Sequence, residues 1–197
     1  NVDTAYIAYE RSDNCICVLA LSSGELAKSK MQSIISYARR MLTVDITMGV
    51  GSSCTTPADI HVSFEQALEA YKHSYFEEWN NLFIFKPLPK LGGEAHAELM
   101  ADLEAYTCAL DKDDQDELEM QIQVSMEHII SAKVDCAEKH LMLSRYVDVI
   151  KHRMRRGDER FTSPQSSSYF QNISAFSAWL TQASTFILYE RSDESRT

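Results

Sequence analysis

The chain has 197 residues, of which 45% are hydrophobic, and its formal net charge is −10. This length and apolar content predict one globular domain or two small ones. The acidic balance argues against direct binding to nucleic acid or to an anionic membrane, since both select surfaces rich in Lys and Arg. The sequence shows neither a charged and apolar leader nor a long apolar run, so we expect a cytosolic protein without membrane contact.

The cysteines form no C-x-x-C pair, and we expect reduced, buried thiols at Cys15, Cys17, Cys54, Cys108 and Cys136. Cys15 and Cys17 would lie roughly 6.6 Å apart on one strand face, too far for an unstrained disulfide. Cys136 and His140 could share a helix face, but two ligands do not make a zinc site and no nearby residue supplies the others. We therefore expect a packed Cys136 beside a surface His140, and no bound metal.

Two short apolar runs, residues 4–9 and 15–20, flank the polar stretch "ERSDN" and predict an antiparallel hairpin. Its charged tip has two possible explanations. Ser, Asp and Asn are common turn residues that bond their own backbone, so the tip can be an ordinary solvated turn. Tips held by rigid strands also carry much of protein chemistry, so the tip can be a site. The hairpin sequence alone does not decide between them.

A helix is predicted next, from Ser22 or Ser23 through about Leu42. Its apolar stripe consists of Leu26, Ile34, Ala38 and Met41. The segment "VDITMGVG", residues 44–51, alternates apolar and other residues and predicts a half-buried strand.

A second helix is predicted to begin near Pro57 and to end at Asn80 and Asn81. Its apolar positions repeat at helical spacing and are Ile60, Phe64, Ala67, Leu68, Tyr71 and Tyr75. The segment "LFIF", residues 82–85, predicts a last strand before Pro87 and Pro89.

After these prolines the apolar pattern is helical throughout and predicts about four helices between residues 94 and 189. The apolar positions that repeat at helical spacing are Leu99, Leu103, Tyr106, Leu110, Leu118, Ile122, Met126, Ile129, Ile130, Leu141, Val147, Ile150, Met154, Phe170, Ile173, Phe176, Leu180 and Ile187. The helices are separated at "DKDD", near Val134 and Asp135, and at "RRGDERFTSPQSSS". This second part carries 19 acidic and 12 basic residues. We therefore expect an α+β domain at 1–86, a linker at 87–93 and an acidic helical domain at 94–189.

The first part resembles a GGDEF domain in its order of hairpin, helix, strand, helix and closing "NNLFIF" strand. It is similar above all to the degenerate GGDEF-like middle domain of AraC-type two-component response regulators, which carries "G-x-G" followed by "S-x-x-x-A-x-x-A". Gly49 and Gly51 match the first element, and Ser63, Ala67 and Ala70 match the second. The helical part resembles the segment that these regulators place before their DNA-binding module.

The resemblance implies a truncated ferredoxin-like or cyclase-palm-like antiparallel sheet with helices, followed by a helical bundle. The first strand of that fold, with its metal-binding aspartate, is not in this sequence. The resemblance would place that strand between residues 15–20 and 44–50. We therefore expect an open edge or gap there, which favours a homodimer or another form of self-association.

In an active cyclase the hairpin tip carries the GGDEF signature, so the resemblance bears on the charged tip. Glu10 and Arg11 stand where glycines should allow close approach of a nucleotide, and Ser12 stands where the first acid should be. Asp13 remains as a lone carboxylate. "GGEAH", residues 92–96, lies at a helix start and is a linker rather than a displaced signature. We expect no catalytic, cofactor-binding or metal-binding residues.

No G-x-S-x-G, H-E-x-x-H or P-loop pattern occurs in the sequence. The basic run "KHRMRRGDER", residues 151–160, could contact nucleic acid, but basic residues also stabilise helix C-termini, which is the preferred explanation.

The expected function is a non-catalytic regulatory module of a bacterial transcriptional regulator, linking a receiver domain to a helix-turn-helix domain outside these residues. The alternative is a GGDEF relative that senses a guanine nucleotide or a cyclic dinucleotide.

Overall fold

The computed structural model describes residues 5–11, 15–21, 28–87, 93–112, 114–154 and 170–194. The chain forms two compact units. The first comprises residues 1–71 and 80–85, and the second comprises residues 72–79 and 86–197. Each is described separately below as unit 1 and unit 2.

Unit 1 begins with the predicted hairpin, formed by strands β1 (Ala5–Arg11) and β2 (Cys15–Leu21). The two strands are antiparallel, with Ala5 opposite Leu21 and Arg11 opposite Cys15. Residues 12–14 connect the strands and lie outside the described residues. The exposed face of β2 carries Ile16 and Val18, which are 67% and 57% exposed.

The second small sheet of unit 1 corrects the predicted antiparallel arrangement. Strand β3 (Met48–Val50) pairs with β4 (Leu82–Ile84) in parallel, with Met48 opposite Leu82 and Val50 opposite Ile84. A parallel pair requires a crossover, and the chain between β3 and β4 contains the helix that supplies it. Only three residues of the predicted 44–51 strand are extended, and Val44 is 49% exposed.

Helix α1 (Lys28–Tyr37) continues into one π turn, Ala38–Leu42. The predicted start at Ser22 or Ser23, and Leu26, lie outside the described residues. Met31, Ile35 and Ala38 are buried. Ile34 and Met41 were predicted to lie in the apolar stripe, but they are 50% and 58% exposed, so this part of the prediction is wrong.

Helix α2 (Ile60–Lys72) follows a single 3₁₀ turn at Pro57–Asp59. It ends earlier than predicted, because a second 3₁₀ turn, His73–Tyr75, replaces its last part. The chain then passes into unit 2 for residues 72–79, returns to unit 1 for β4, and enters unit 2 again at residue 86.

The described part of unit 2 after residue 86 contains four helices, in agreement with the predicted number, and no strand. They are α3 (Gly93–Asp111), α4 (Gln115–Ser131), α5 (Cys136–Arg153) and α6 (Ile173–Glu194). Three side chains cap helix starts by accepting backbone N–H bonds: Asp114 from Glu117, Asp135 from Glu138 and Asn172 from Ala175. Each stands at or beside a break that the sequence pattern predicts.

The core of unit 2 is made by the predicted apolar positions of all four helices. Its members are less than one-tenth exposed and include Leu99, Leu103, Tyr106, Leu110, Leu118, Ile122, Met126, Ile129, Val147, Ile150, Phe176 and Leu180. Leu141 was predicted to join them but is 57% exposed, because it lies on the outer face of α5. None of the described helices is long and apolar enough to cross a bilayer.

Candidate functional site

The hairpin tip is the first candidate site. The structure gives the pairing of the two strands that carry the tip, but it does not describe residues 12–14. The register leaves three residues between Arg11 and Cys15. Of the tip residues, Glu10 and Arg11 end β1, while Ser12, Asp13 and Asn14 lie outside the described residues. The prediction that this tip is a structural turn without catalytic duty therefore stays a prediction.

The matched "G-x-G" and "S-x-x-x-A" elements contact each other. A Cβ atom placed on Gly49 would overlap the backbone carbonyl of Ala67 and lie 2.8 Å from the Cβ of Tyr71. A Cβ atom on Gly51 would overlap the backbone of Ser63. The two glycines thus allow β3 to lie directly against α2, which is the close backbone approach that requires glycine.

Polar side chains hold this junction at the end of β3. The Ser63 hydroxyl donates to the carbonyl of Ser52 over 2.7 Å, and Gln66 Oε1 accepts from the backbone N–H of Ser52 at 3.0 Å. The residues that carry the resemblance therefore have a packing role here. They stabilise the junction between β3 and α2.

Residues 72–79 are attached to the helices of unit 2 by a group of aromatic and polar contacts. Phe76 is 1% exposed and lies in the helical core. The centre of its ring lies 5.1 Å from the centre of the His140 ring, and the centre of the Tyr75 ring lies 4.5 Å from the same point. Farther along, Glu78 Oε1 accepts from the backbone N–H of Ser174 at the start of α6, at 3.1 Å. This segment is thereby attached to both α5 and α6.

Lys139 lies under this segment and is 4% exposed. Its Nζ donates to the carbonyl of Ile130 over 2.6 Å and lies 5.1 Å from the centre of the Phe76 ring. The carbonyl belongs to the last turn of α4, where backbone acceptors have no partner within the helix. Lys139 therefore joins the end of α4 to α5 and to the 72–79 segment.

We call Tyr75, Phe76, Glu78, Lys139 and His140 the 72–79 anchor. Burial shifts the pKa values of three of these side chains, those of Tyr75, Lys139 and His140. Desolvation lowers the pKa of Lys139, opposed by the nearby Cys136 and Glu77, and it raises the pKa of Tyr75. Desolvation also lowers the pKa of His140, assisted by the charge of Lys72. Shifted pKa values in a cleft can indicate catalysis, but here the side chains face packed rings and carbonyls, so burial in a structural contact explains them.

A second charged group ties three helix ends together. Arg153 makes two bonds to the Asp111 carboxylate, at 3.0 and 2.8 Å, and Arg191 lies 3.6 Å from the same carboxylate. Arg191 also donates to the carbonyl of Leu110 at 3.0 Å. These arginines hold the pKa of Asp111 below its usual range, with Arg153 the main cause.

The basic run that begins at Lys151 is therefore engaged within the protein over its described part. His152 bonds the carbonyl of Asp148 at 2.7 Å, and Arg153 pairs with Asp111. This agrees with the preferred explanation of a helix C-terminus. Residues 155–160 of the run lie outside the described residues.

The cysteines and histidines are dispersed. Within the described ranges, no group of three or more His, Cys, Asp or Glu side chains could hold a metal ion. Cys136 is buried as predicted, whereas Cys108 is exposed and Cys17 and Cys54 are only partly buried, so the prediction of buried thiols is wrong for these three. His140, expected as a surface residue, lies against the rings of Tyr75 and Phe76.

The sequence reasoning missed Lys139 and Glu78, which were not singled out. A lysine that falls on the apolar face of a helix is the signal that could have identified Lys139, because it lies between the buried Cys136 and Met142 in sequence. Glu78 gave no such signal, since its partner Ser174 is distant in the chain.

The comparisons with known proteins address the first part of the chain. The family model described as GGDEF-like domain matches residues 1–73. No curated protein and no solved structure gives a significant match. The match includes the hairpin, α1, β3 and α2, and ends where α2 ends. A GGDEF-like domain therefore covers residues 1–73 of this chain.

Proposed function

We propose that the chain is a non-catalytic regulatory module of a bacterial transcriptional response regulator of the AraC type. In this proposal it links a receiver domain to a DNA-binding helix-turn-helix domain, both outside these residues. The GGDEF-like match at residues 1–73 and the resemblance described for the helical part support this assignment.

The observation that carries the proposal is the path of the chain between its two units. Residues 72–79 belong to unit 2, although the residues on both sides of them belong to unit 1. Phe76 fixes this segment in the helical core, and Glu78 fixes it to the start of α6. A rearrangement of the GGDEF-like domain would therefore displace residues that are packed in the helical core. Signal transmission requires such a coupling, which an unpacked linker would not provide.

The module is proposed to act without catalysis. Phosphoryl transfer on two metal ions needs several converging carboxylates, and removing one such group costs orders of magnitude in rate. The tip sequence offers Asp13 and the displaced Glu10, and Arg11 stands where a glycine would admit the nucleotide. Purified protein incubated with GTP and magnesium or manganese should form no cyclic dinucleotide. Product that disappears in Asp13→Ala would overturn this part of the proposal.

The transmission role is tested in the full-length regulator with a transcription reporter. Glu78→Ala removes the bond to Ser174 at an exposed position and should reduce the signal-dependent response without changing affinity for DNA. Glu65→Ala, an exposed substitution on α2, is the matched control and should respond as the parent protein does. An undiminished response in Glu78→Ala would contradict a transmitting role for the anchor.

The alternative function, sensing of a guanine nucleotide or cyclic dinucleotide, is tested by thermal shift with a nucleotide panel. The regulatory proposal predicts no shift. A nucleotide that raises the melting temperature of the parent but not of Arg11→Ala or Asp13→Ala would favour the sensing function.

We also propose that the chain self-associates as a homodimer. Among the described strands, β2 pairs with β1 alone and β3 with β4 alone, so each of these strands has one edge without a partner among those strands. A two-stranded sheet with exposed apolar side chains such as Ile16 and Val18 favours further pairing. Light scattering should show a dimer that Ile16→Lys combined with Val18→Lys converts to monomer. A monomeric parent protein would rule out this arrangement.

A further inference from the structure

The outer face of α1 and its π turn is the most apolar exposed helical surface in the described part of the chain. Ile34, Tyr37 and Met41 are 50%, 57% and 58% exposed. Their spacing of three and four residues places them on one side of the helix, beside the buried Met31 and Ile35. The apolar surface of α1 is therefore wider than the part of it that is buried within unit 1.

The π turn extends this surface. It ends at Thr43, whose φ of 56° is left-handed, and the Thr43 N–H bonds back to the carbonyl of Ala38. A β-branched residue in this conformation is a clear outlier, and π turns are common at functional sites. Beside this turn Leu42 and Val44 are 64% and 49% exposed. We name Ile34, Tyr37, Met41, Leu42 and Val44 the α1 patch.

The charge around the α1 patch is opposite to that of the whole protein. Residues 28–42 contain four basic residues and no acidic one, in a chain whose net charge is −10. Arg39 is paired with Asp45 at 2.6 Å. Lys30 precedes Ile34 by four residues and Arg40 follows Tyr37 by three, so both flank the apolar stripe, and both are exposed. Within the described ranges neither side chain forms an ion pair.

The exposed apolar side chains and the basic residues beside them indicate which kind of partner fits the α1 patch. The same patch of a second copy would bring like charges together, and the net negative charge of the protein opposes docking to an anionic bilayer. An acidic amphipathic helix matches both the apolar side chains and the positive charge of this surface. Its apolar stripe would cover the patch, and its carboxylates would pair with Lys30 and Arg40. The helical part of the patch runs from residue 34 to residue 42, which is about 12 Å of helix and matches about two turns of a partner.

We propose that the α1 patch is a docking surface for an acidic amphipathic helix of a partner protein. The interaction is a helix laid along a helix, with Tyr37 as the central contact and Lys30 and Arg40 at its margins. This inference does not depend on the regulatory function proposed above.

The test measures fluorescence anisotropy of a labelled helical peptide of about 18 residues with the whole chain. The peptide carries leucines on one face and glutamates elsewhere. Lys30→Glu combined with Arg40→Glu should weaken its binding about tenfold, because two favourable charge contacts become repulsive. Lys86→Glu combined with Lys133→Glu makes the same change in net charge at exposed positions elsewhere, and should change binding less than threefold.

The apolar contribution is tested in the same assay. Tyr37→Ser combined with Met41→Ser should weaken binding about tenfold or more, since an aromatic anchor is removed. Met120→Ser combined with Leu141→Ser replaces equally exposed apolar residues in unit 2 and should leave binding unchanged. Circular dichroism melting confirms that each variant is folded.

Several outcomes would overturn the proposal. Absence of binding by the glutamate peptide would do so, as would equal effects of the α1 and control variants. Equal binding of a peptide with lysines in place of the glutamates would show that charge does not select the partner. Binding to vesicles containing phosphatidylserine that depends on Lys30 and Arg40, without peptide binding, would assign the patch to membranes instead.

Discussion

The two units of this chain bury apolar surface to very different extents. In the described residues of unit 1, the buried cluster consists of Met31, Ile35 and Leu82, with Met48 and Val50 against it. In those of unit 2, twenty-one buried residues form a continuous core. Burial of apolar area is the main source of folding free energy, so unit 2 should supply most of the stability of the chain.

The difference shows why exposed apolar side chains concentrate in unit 1. Among the described residues of unit 1, two sheets of two strands each offer little surface against which to pack α1. Side chains such as Ile34 and Ile16 therefore reach solvent. We expect a domain of this kind to depend on partners or neighbouring domains more than the helical unit does.

The largest expected effect compares one core residue of each unit. Leu110→Ala, at a fully buried position in α3, should reduce the free energy of unfolding by about 3 kcal/mol. Met31→Ala should cost only about 1 kcal/mol, because its small cluster borders solvent and can relax. Urea denaturation followed by circular dichroism measures both, and equal losses would contradict the unequal cores.

The next effect tests the glycine contacts between β3 and α2. Gly51→Ala should destabilise unit 1 by about 2 kcal/mol, because the added Cβ overlaps the backbone of Ser63. Hydrogen exchange should show lost protection in β3 and α2 but not in α3–α6.

Gly93→Ala is the control for this substitution, because no atom lies within 4 Å of an added Cβ at that position. Its effect should stay within about 0.5 kcal/mol. Normal exchange in Gly51→Ala would show that β3 and α2 can separate without loss.

Lys139 gives an effect of similar size that is more specific to one interaction. Lys139→Ala should cost about 2 kcal/mol, since it leaves a cavity and removes the donor to the Ile130 carbonyl. Lys139→Met keeps the volume and abolishes the cost of burying a charge, so its loss should be below about 1 kcal/mol. Chemical denaturation of the two variants compares them. A methionine variant as unstable as the alanine variant would assign the main role to the charge.

The smallest expected effect is a pH dependence from unit 2. Burial holds the pKa of His140 below its ordinary value of 6.5, so the unfolded chain binds a proton before the folded chain does. Stability should therefore fall as pH drops below about 6.5. His140→Gln should show a shallower fall in urea midpoints measured across this range. Identical slopes for parent and variant would remove His140 as the cause.

Much of unit 2 could be predicted because its helices follow a simple periodicity. Buried positions such as Ile122, Phe176 and Leu180 repeat at helical spacing, and breaks such as Asp114 and Asp135 are capping residues. The exception is Leu141, which follows the apolar pattern but lies on the solvent face. Periodicity identifies a face and cannot tell whether another element covers it.

Unit 1 was less predictable for the same reason. The stripe containing Ile34 and Met41 predicts a packed face, but the strands in the described part of unit 1 do not cover it. The parallel pairing of β3 and β4 depends on a contact between distant segments that no local pattern encodes. Glu78 was missed because its partner Ser174 is distant in the chain, whereas Lys139 carried a usable signal in its position on the apolar face of α5.

The position of Phe76 has a consequence for synthesis of the protein on the ribosome. Phe76 emerges early, with the GGDEF-like domain, yet the α5 residues that enclose it emerge only much later. Until then the aromatic side chain of Phe76 and its neighbours remain exposed to solvent. Strand β4, which follows them in the chain, can meanwhile pair with β3. Contacts between distant parts of the chain slow folding, and the apolar surface that is exposed in the meantime favours aggregation. Expression of the chain truncated before α5 should therefore yield an aggregation-prone product even though every residue of the GGDEF-like domain is present.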